Sequence, residues 1–274
     1  MASSVNPMGT KIIFCILILP LLCLGFSAPA QATTVKIMPL GDSITGSPGC
    51  WRSVLWNRLR STGCTNVDFV GSLTGQGCPR AYDDAGEGHA GFLVTDVADN
   101  NLLPPWLRVA NPDIVLMHFG TNDCWSNVSV TAILAAYTKL VGQMRANNPK
   151  MKILVAQLIP MNPVNTAACP TCACATCGAR VVALNAAIPA WAAGLTTPQS
   201  PITVVDQWTG FDPAVMPVGD TLDGVHPNDT TGTQKMSDKW YPPLAAALAC
   251  GGTSRQITGL TLHMAVRISR SSSL

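Results

Sequence analysis

Gly41-Asp42-Ser43 follows directly on the apolar run Val35, Ile37, Met38, Leu40. A serine hydroxyl at that point can attack an acyl carbon, but only if a base takes its proton. A serine in a turn otherwise does no more than close the turn or cap a helix, so the partners decide. The sequence has four histidines. His226 stands in "DGVHPND" (223–229), three residues after Asp223. At that spacing one turn can present the imidazole while the carboxylate binds its other nitrogen, fixes the tautomer and stabilises the imidazolium. His89, ahead of Ala90-Gly91, is a second candidate base, and Asp206 is the competing acid. His118 lies within an apolar run and reads as a core residue, and His263 lies near the C-terminus.

Acyl transfer also needs donors aimed at the oxygen that becomes negative. The Ser43 backbone N–H is one. A glycine lets the backbone approach closely, and Gly91 of "EGHAG" (87–91) is a second donor, with Gly71 and Gly88 nearby. The Asn122 side-chain amide in "GTNDCW" (120–125) is the third. Trp51 and Trp125 are candidates for stacking on a sugar, as is Trp208, although packing is the commoner use of tryptophan.

These groups need a frame. Five short apolar runs, 35–40, 67–71, 113–119, 152–159 and 202–208, read as strands, the third and fourth as strands buried on both faces. Helical patterns fall between them, over 51–60, 93–103, 130–146, 179–193 and 230–249, with Pro104-Pro105 breaking the second. The alternation predicts an α/β fold, a three-layer α/β/α sandwich around a five-stranded parallel sheet. In such a sheet ligands bind outside the carboxyl ends of the strands, where the Ser43, Gly91, Asn122 and His226 loops all belong.

Composition narrows the function classes. Charged residues make up 12% of the 274, with a formal net charge of +2, so neither nucleic acid nor an anionic membrane surface is an expected partner. Residues 1–32 read as a secretory signal: Lys11, the apolar run 12–26, then Ala30-Gln31-Ala32 as a cleavage site. Cleavage leaves a secreted, extracellular chain without membrane attachment, expected to be a monomer. Its main domain is 33–250. A tail, 251–274, has alternating apolar residues over 260–268.

Nine cysteines follow the signal: Cys50, Cys64, Cys78, Cys124, Cys169, Cys172, Cys174, Cys177 and Cys250. In an oxidising compartment most should pair, and the odd number leaves at least one over. "CPTCACATC" (169–177) has zinc-like spacing, but secretion favours disulfides. Asn127-Val-Ser129 and Asn228-Asp-Thr230 fit the N-glycosylation pattern. No loop has a calcium spacing, and no metal or cofactor is expected.

The ordered set Gly41-Asp42-Ser43-Ile44, a glycine loop, Gly120-Thr121-Asn122-Asp123 and Asp223-Gly224-Val225-His226-Pro227 resembles the SGNH (GDSL-type) hydrolases over about residues 35–249. That resemblance implies a flavodoxin-like fold, Ser43 as nucleophile, His226 as base and Asp223 as orienting acid. It implies an oxyanion hole from Ser43, Gly91 and Asn122. Ile44 stands where the motif's name has leucine. "DFVGSLTG" (68–75) followed by "EGHAG" is similar to carbohydrate esterase family three, secreted acetylxylan esterases. This implies removal of acetyl groups from plant polysaccharide, while the cysteine cluster 169–177 is foreign to that pattern. The alternatives are a lipase-like or aryl esterase preferring longer acyl chains, and a non-catalytic secreted sugar-binding protein.

Overall fold

The structure is a computed structural model, which describes Met1 and residues 33–46, 49–75, 77–167 and 169–249. The expected secretory signal, 1–32, lies outside the described residues apart from Met1, as do Cys250 and the expected tail. The sheet and its helices belong to the unit beginning at Thr33.

Six parallel strands form the sheet. They are β1 (Val35–Gly41), β2 (Val67–Phe69), β3 (Glu87–Gly88), β4 (Ile114–His118), β5 (Lys152–Gln157) and β6 (Ile202–Asp206). The order is β2-β1-β4-β5-β6, and β3 pairs with the far end of β1 beyond β2. The expected five strands are all present. The sixth has two residues, too few to show any periodicity. β4 is buried throughout and β5 is buried except at its ends, so neither alternates.

Seven helices cover the sheet among the described residues: α1 (Trp51–Ser61), α2 (Val94–Asp99), α3 (Leu103–Ala110), α4 (Thr121–Trp125), α5 (Val130–Asn147), α6 (Cys177–Leu195) and α7 (Thr231–Leu248). α1 packs against α7, while α5 packs against α2, α3 and α6. The chain moves from β1 one way to β2 and then the other way to β4. Right-handed crossovers therefore place helices on opposite faces, giving the three-layer sandwich.

Pro104 and Pro105 do not break a helix. They lie in the first turn of α3, where a missing N–H would have had no intrahelical partner. α6 is long and apolar enough to cross a membrane, with mean hydropathy 1.2. Here Val181, Leu184, Ile188 and Ala192 are buried and the helix packs on β5 and β6.

Candidate active site

The strand order reverses between β1 and β4, and a crevice opens at such a switch point. Ser43 lies just past β1 and Asn122 just past β4. Two glycines make this junction. A Cβ on Gly41 would collide with the His118 carbonyl, so only glycine lets β1 and β4 run this close. Gly120 turns from β4 into α4 with φ of 118°, a value that disfavours other residues.

Past Gly41 the chain folds into a tight turn, with Thr45 N–H and Gly46 N–H donating to the Asp42 carbonyl at 3.1 and 2.9 Å. Ile44 N–H donates to Asp42 Oδ1 at 3.0 Å. Trp51 holds the turn from outside, its Nε1–H donating to the Ile44 carbonyl at 2.9 Å. That ring is fully buried and stacks on Trp240 at 5.7 Å. Trp51 therefore cannot bind a sugar, which corrects the expectation from sequence. Arg52, also buried, donates to the Gly46 carbonyl at 3.3 Å and the Asp84 carbonyl at 2.9 Å. It ties the serine turn to the loop ahead of β3, as does the Cys50–Cys78 disulfide.

Ser43 Oγ lies 2.9 Å from His226 Nε2, and His226 Nδ1 lies 2.7 Å from Asp223 Oδ2. Asp223 Oδ1 also accepts from the backbone N–H of Val225 and His226 at 3.0 and 2.8 Å. Its loop is braced by Asn162 N–H on the Gly224 carbonyl at 2.7 Å and Val164 N–H on the Asp223 carbonyl at 3.2 Å. Burial alone would lower the His226 pKa, but the hydrogen bond and charge of Asp223, with the charge of Asp42, raise it above the ordinary histidine value. Burial acts to raise the Asp223 pKa, and the His226 contacts outweigh it and lower it.

The other candidates fall elsewhere. Asp206 Oδ1 accepts from Trp208 and Thr209 N–H at 2.9 and 2.8 Å, its Oδ2 faces Lys239 at 3.9 Å, and no hydrogen bond joins it to His226. His118 is fully buried, its Nε2 accepts from Ile159 N–H at 3.2 Å, and burial depresses its pKa to about 4. His89 Nε2 lies 2.6 Å from the buried Glu87 carboxylate, and its ring stacks on Trp106 at 4.2 Å and Phe92 at 4.8 Å. It pins the turn leading to Gly91.

Gly91 itself is exposed. β3 carries it alongside β1, since Gly41 pairs with Gly88 and His89 N–H donates to the Gly41 carbonyl at 2.9 Å. Asn122 Nδ2 donates to the Phe92 carbonyl at 2.9 Å. An amide nitrogen has two hydrogens, so one N–H remains for a ligand. Trp125 is half-buried, packed against the core, and its carbonyl accepts from Arg180 Nη1 at 3.0 Å.

Two supporting carboxylates are not legible from sequence. Asp123 accepts from Val94 N–H, Thr95 N–H and the Thr95 hydroxyl at 2.8, 3.1 and 2.7 Å, capping α2 and holding the loop after Gly91. Asp42 is fully buried, and burial raises its pKa to about 6. Thr121 beside it opposes that rise, but no hydrogen bond of normal geometry reaches Asp42 Oδ2.

Cys169–Cys172 and Cys174–Cys177 are disulfides, Cys64 is disulfide-bonded, and Cys124 is a buried free thiol. Asn228 is 1% exposed. Its Oδ1 accepts from the N–H groups of Thr230, Thr231 and Gly232, and its Nδ2 donates to the Gly219 carbonyl. The folded chain has no room for a glycan there, contrary to the sequence pattern. Asn127 is exposed.

The model of the GDSL-like lipase/acylhydrolase family matches residues 40–231. A multidomain esterase of Ruminococcus flavefaciens is 32% identical over 173 residues, which are 56% of this chain and 22% of that protein. This chain thus spans about a fifth of that relative's length. A family 3 carbohydrate esterase from Talaromyces cellulolyticus is 34% identical with a TM-score of 0.68, covering 79% of this chain and 99% of that one. An acetyl esterase variant holding an acetate ion gives the same values. A family 3 carbohydrate esterase of Clostridium thermocellum is 27% identical, with a TM-score of 0.64 and coverage of 79% and 98%. With its parallel sheet and its serine turn at the switch point, the chain belongs to the GDSL-like lipase/acylhydrolase family, the SGNH hydrolases, and is similar in sequence and fold to the family 3 carbohydrate esterases.

Proposed function

We propose that the protein is a secreted serine esterase that removes acetyl groups from plant cell-wall polysaccharide, acetylxylan being the intended substrate. The observation carrying this reading is the pair of contacts from Ser43 Oγ to His226 Nε2 at 2.9 Å and from His226 Nδ1 to Asp223 at 2.7 Å. His226 Nε2 takes the Ser43 proton as Oγ attacks the acetyl carbonyl carbon. Asp223 holds Nδ1–H and stabilises the imidazolium. The new oxyanion takes hydrogen bonds from Ser43 N–H, Gly91 N–H and the remaining N–H of Asn122. The tetrahedral centre collapses, the imidazolium protonates the departing sugar oxygen, and acetyl stays on Ser43. Water, deprotonated by His226, then releases acetate by the same route.

The small acyl group is supported by the acetyl ester and carbohydrate substrates named for its relatives. The leader-like residues 1–32 support export, to where intact polysaccharide is met. One observation favours a longer acyl chain instead. Met216, Val218 and Leu222 are 46%, 83% and 42% exposed on the loop that carries Asp223. Each added methylene buried there would gain about 0.8 kcal/mol. Rates on acetyl, butyryl and octanoyl aryl esters, beside acetate release from acetylxylan, decide between them. The proposal expects a steep fall from acetyl to butyryl and release of acetate from uncut xylan. Octanoyl as the fastest ester, with acetylxylan inert, would overturn it.

A further inference from the structure

A second polar cavity opens where β5 and β6 end. It has a volume of about 190 Å³ and is lined by Gln157, Val182, Asn185, Asp206, Trp208 and Thr209. At about 30 Å³ per water it would hold roughly six waters, the scale of one sugar ring. Gln157 and Asp206 are the last residues of β5 and β6, so the cavity shares the sheet edge on which Ser43 stands. β1 and β6 are three strands apart in the sheet order. At about 4.8 Å per strand the lateral separation is about 14 Å, within the reach of a short oligosaccharide.

Its groups suit a hydroxyl-rich ligand. Trp208 is half-buried, and no hydrogen bond engages its Nε1–H among the described residues. An apolar ring face with a polar edge is what a sugar ring packs against. Asp206 Oδ1 is occupied by two backbone N–H groups, the Thr209 side chain also bears on the carboxylate, and Oδ2 faces Lys239 at 3.9 Å. Burial acts to raise the Asp206 pKa, but Thr209, Lys239 and Trp208 outweigh it and keep it below the usual range, so Oδ2 is a charged acceptor. Gln157 uses Nε2 on the Asn185 carbonyl at 2.9 Å, leaving its Oε1 as a second acceptor. A donor, two acceptors and an aromatic surface converge on one small cavity, with nothing in the serine site's chemistry to require them.

We propose that this cavity is a subsite for an unesterified sugar unit of the polymer, a few residues along the chain from the one that is deacetylated. It rests on the polysaccharide reading above, and binding tests it apart from catalysis. An unsubstituted xylo-oligosaccharide is titrated into the full chain carrying Ser43→Ala, alone and combined with Trp208→Ala, Trp208→Phe or Asp206→Asn. Steady-state rates on acetylxylan and on an aryl acetate are then measured for each substitution in the otherwise native enzyme, with thermal midpoints as a folding check. Trp208→Ala should weaken the oligosaccharide on the order of tenfold and raise KM for acetylxylan. Its kcat/KM on the aryl acetate should stay unchanged. Trp208→Phe should retain part of the affinity. Asp206→Asn keeps its Oδ1 contacts and should lose severalfold in binding even if Trp208→Ala folds poorly. No oligosaccharide binding by the unsubstituted subsite, or equal binding in all variants, would overturn the subsite. If acetylxylan is inert while the oligosaccharide binds through Trp208, the deacetylation reading fails and the subsite stands.

Discussion

Replacing Asp223 separates its charge from its role in fixing a tautomer. Asp223 Oδ2 sits 2.7 Å from His226 Nδ1, and Oδ1 holds two backbone N–H groups. A hydrogen bond to a charged group contributes about 1.5–3 kcal/mol. The Asp223 side chain is 34% exposed, so the lower half of that range applies. Asp223→Ala should therefore reduce kcat on an aryl acetate by about 10- to 50-fold. Asp223→Asn should be worse, about 10²- to 10⁴-fold, if its amide donates to Nδ1 and so moves the imidazole proton to Nε2, where Ser43 needs an acceptor. The pH dependence is the sharper readout. His226 must be neutral to act as base, so activity falls as pH drops through its pKa, which stands above the ordinary 6.5 in the native enzyme. Without Asp223, burial dominates and the pKa falls. The acid limb of kcat/KM should then move to lower pH in Asp223→Ala, measured across about pH 5–8. An unmoved limb would refute the argument. A limb that moves with Asp206→Ala instead would identify the wrong acid.

Three further outcomes are expected. Asp42 has its pKa raised from 3.8 to about 6, so the folded state loses stability as pH rises between those values and loses no more above the upper one. The shift corresponds to about 3 kcal/mol; Asp42→Asn should gain in thermal midpoint over the native protein as pH rises from about 4 to 6.5, while kcat falls because His226 loses a favourable charge. A midpoint difference independent of pH would contradict this. The Cys124 thiol is buried, and burial pushes its pKa up to about 12, so it should resist a thiol reagent in the native enzyme and react after denaturation without reductant. Rapid native labelling of Cys124 would be the contrary result. Asn122→Ala should lower kcat on the order of 10²-fold with little change in KM, whereas a purely structural Asn122 would lower the thermal midpoint and leave kcat per folded molecule intact.

The sheet is legible in the sequence because β4 and β5 are buried on both faces and their residues are apolar almost throughout. β3 is not, since two residues carry no period and its place depends on pairing with β1. The start of α3 is hidden because a proline pair looks the same whether it ends one helix or opens the next. In the candidate site, the Asp-x-x-His spacing points to a contact within one turn, and Asp223 and His226 make it. The place of Ser43 at a strand end follows from the break in the apolar run. Trp51 defeats a reading from sequence because a tryptophan near a strand end can face either way. Its buried side is set by Trp240, from α7 and remote in sequence. Asn228 does so because a local pattern says nothing of burial. The buried Asp42 and the cap from Asp123 depend on neighbours that only the folded chain assembles.

A fluorophosphonate probe tests the central claim most directly, since it bonds covalently to a serine only where a base has activated it. The folded chain is labelled, its intact mass is measured, and the modified peptide is mapped. The predicted result is a single adduct on Ser43, blocked by prior acetyl ester and lost in His226→Ala. An adduct on another serine, or full esterase activity in a folded Ser43→Ala variant, would contradict the assignment of Ser43 as nucleophile.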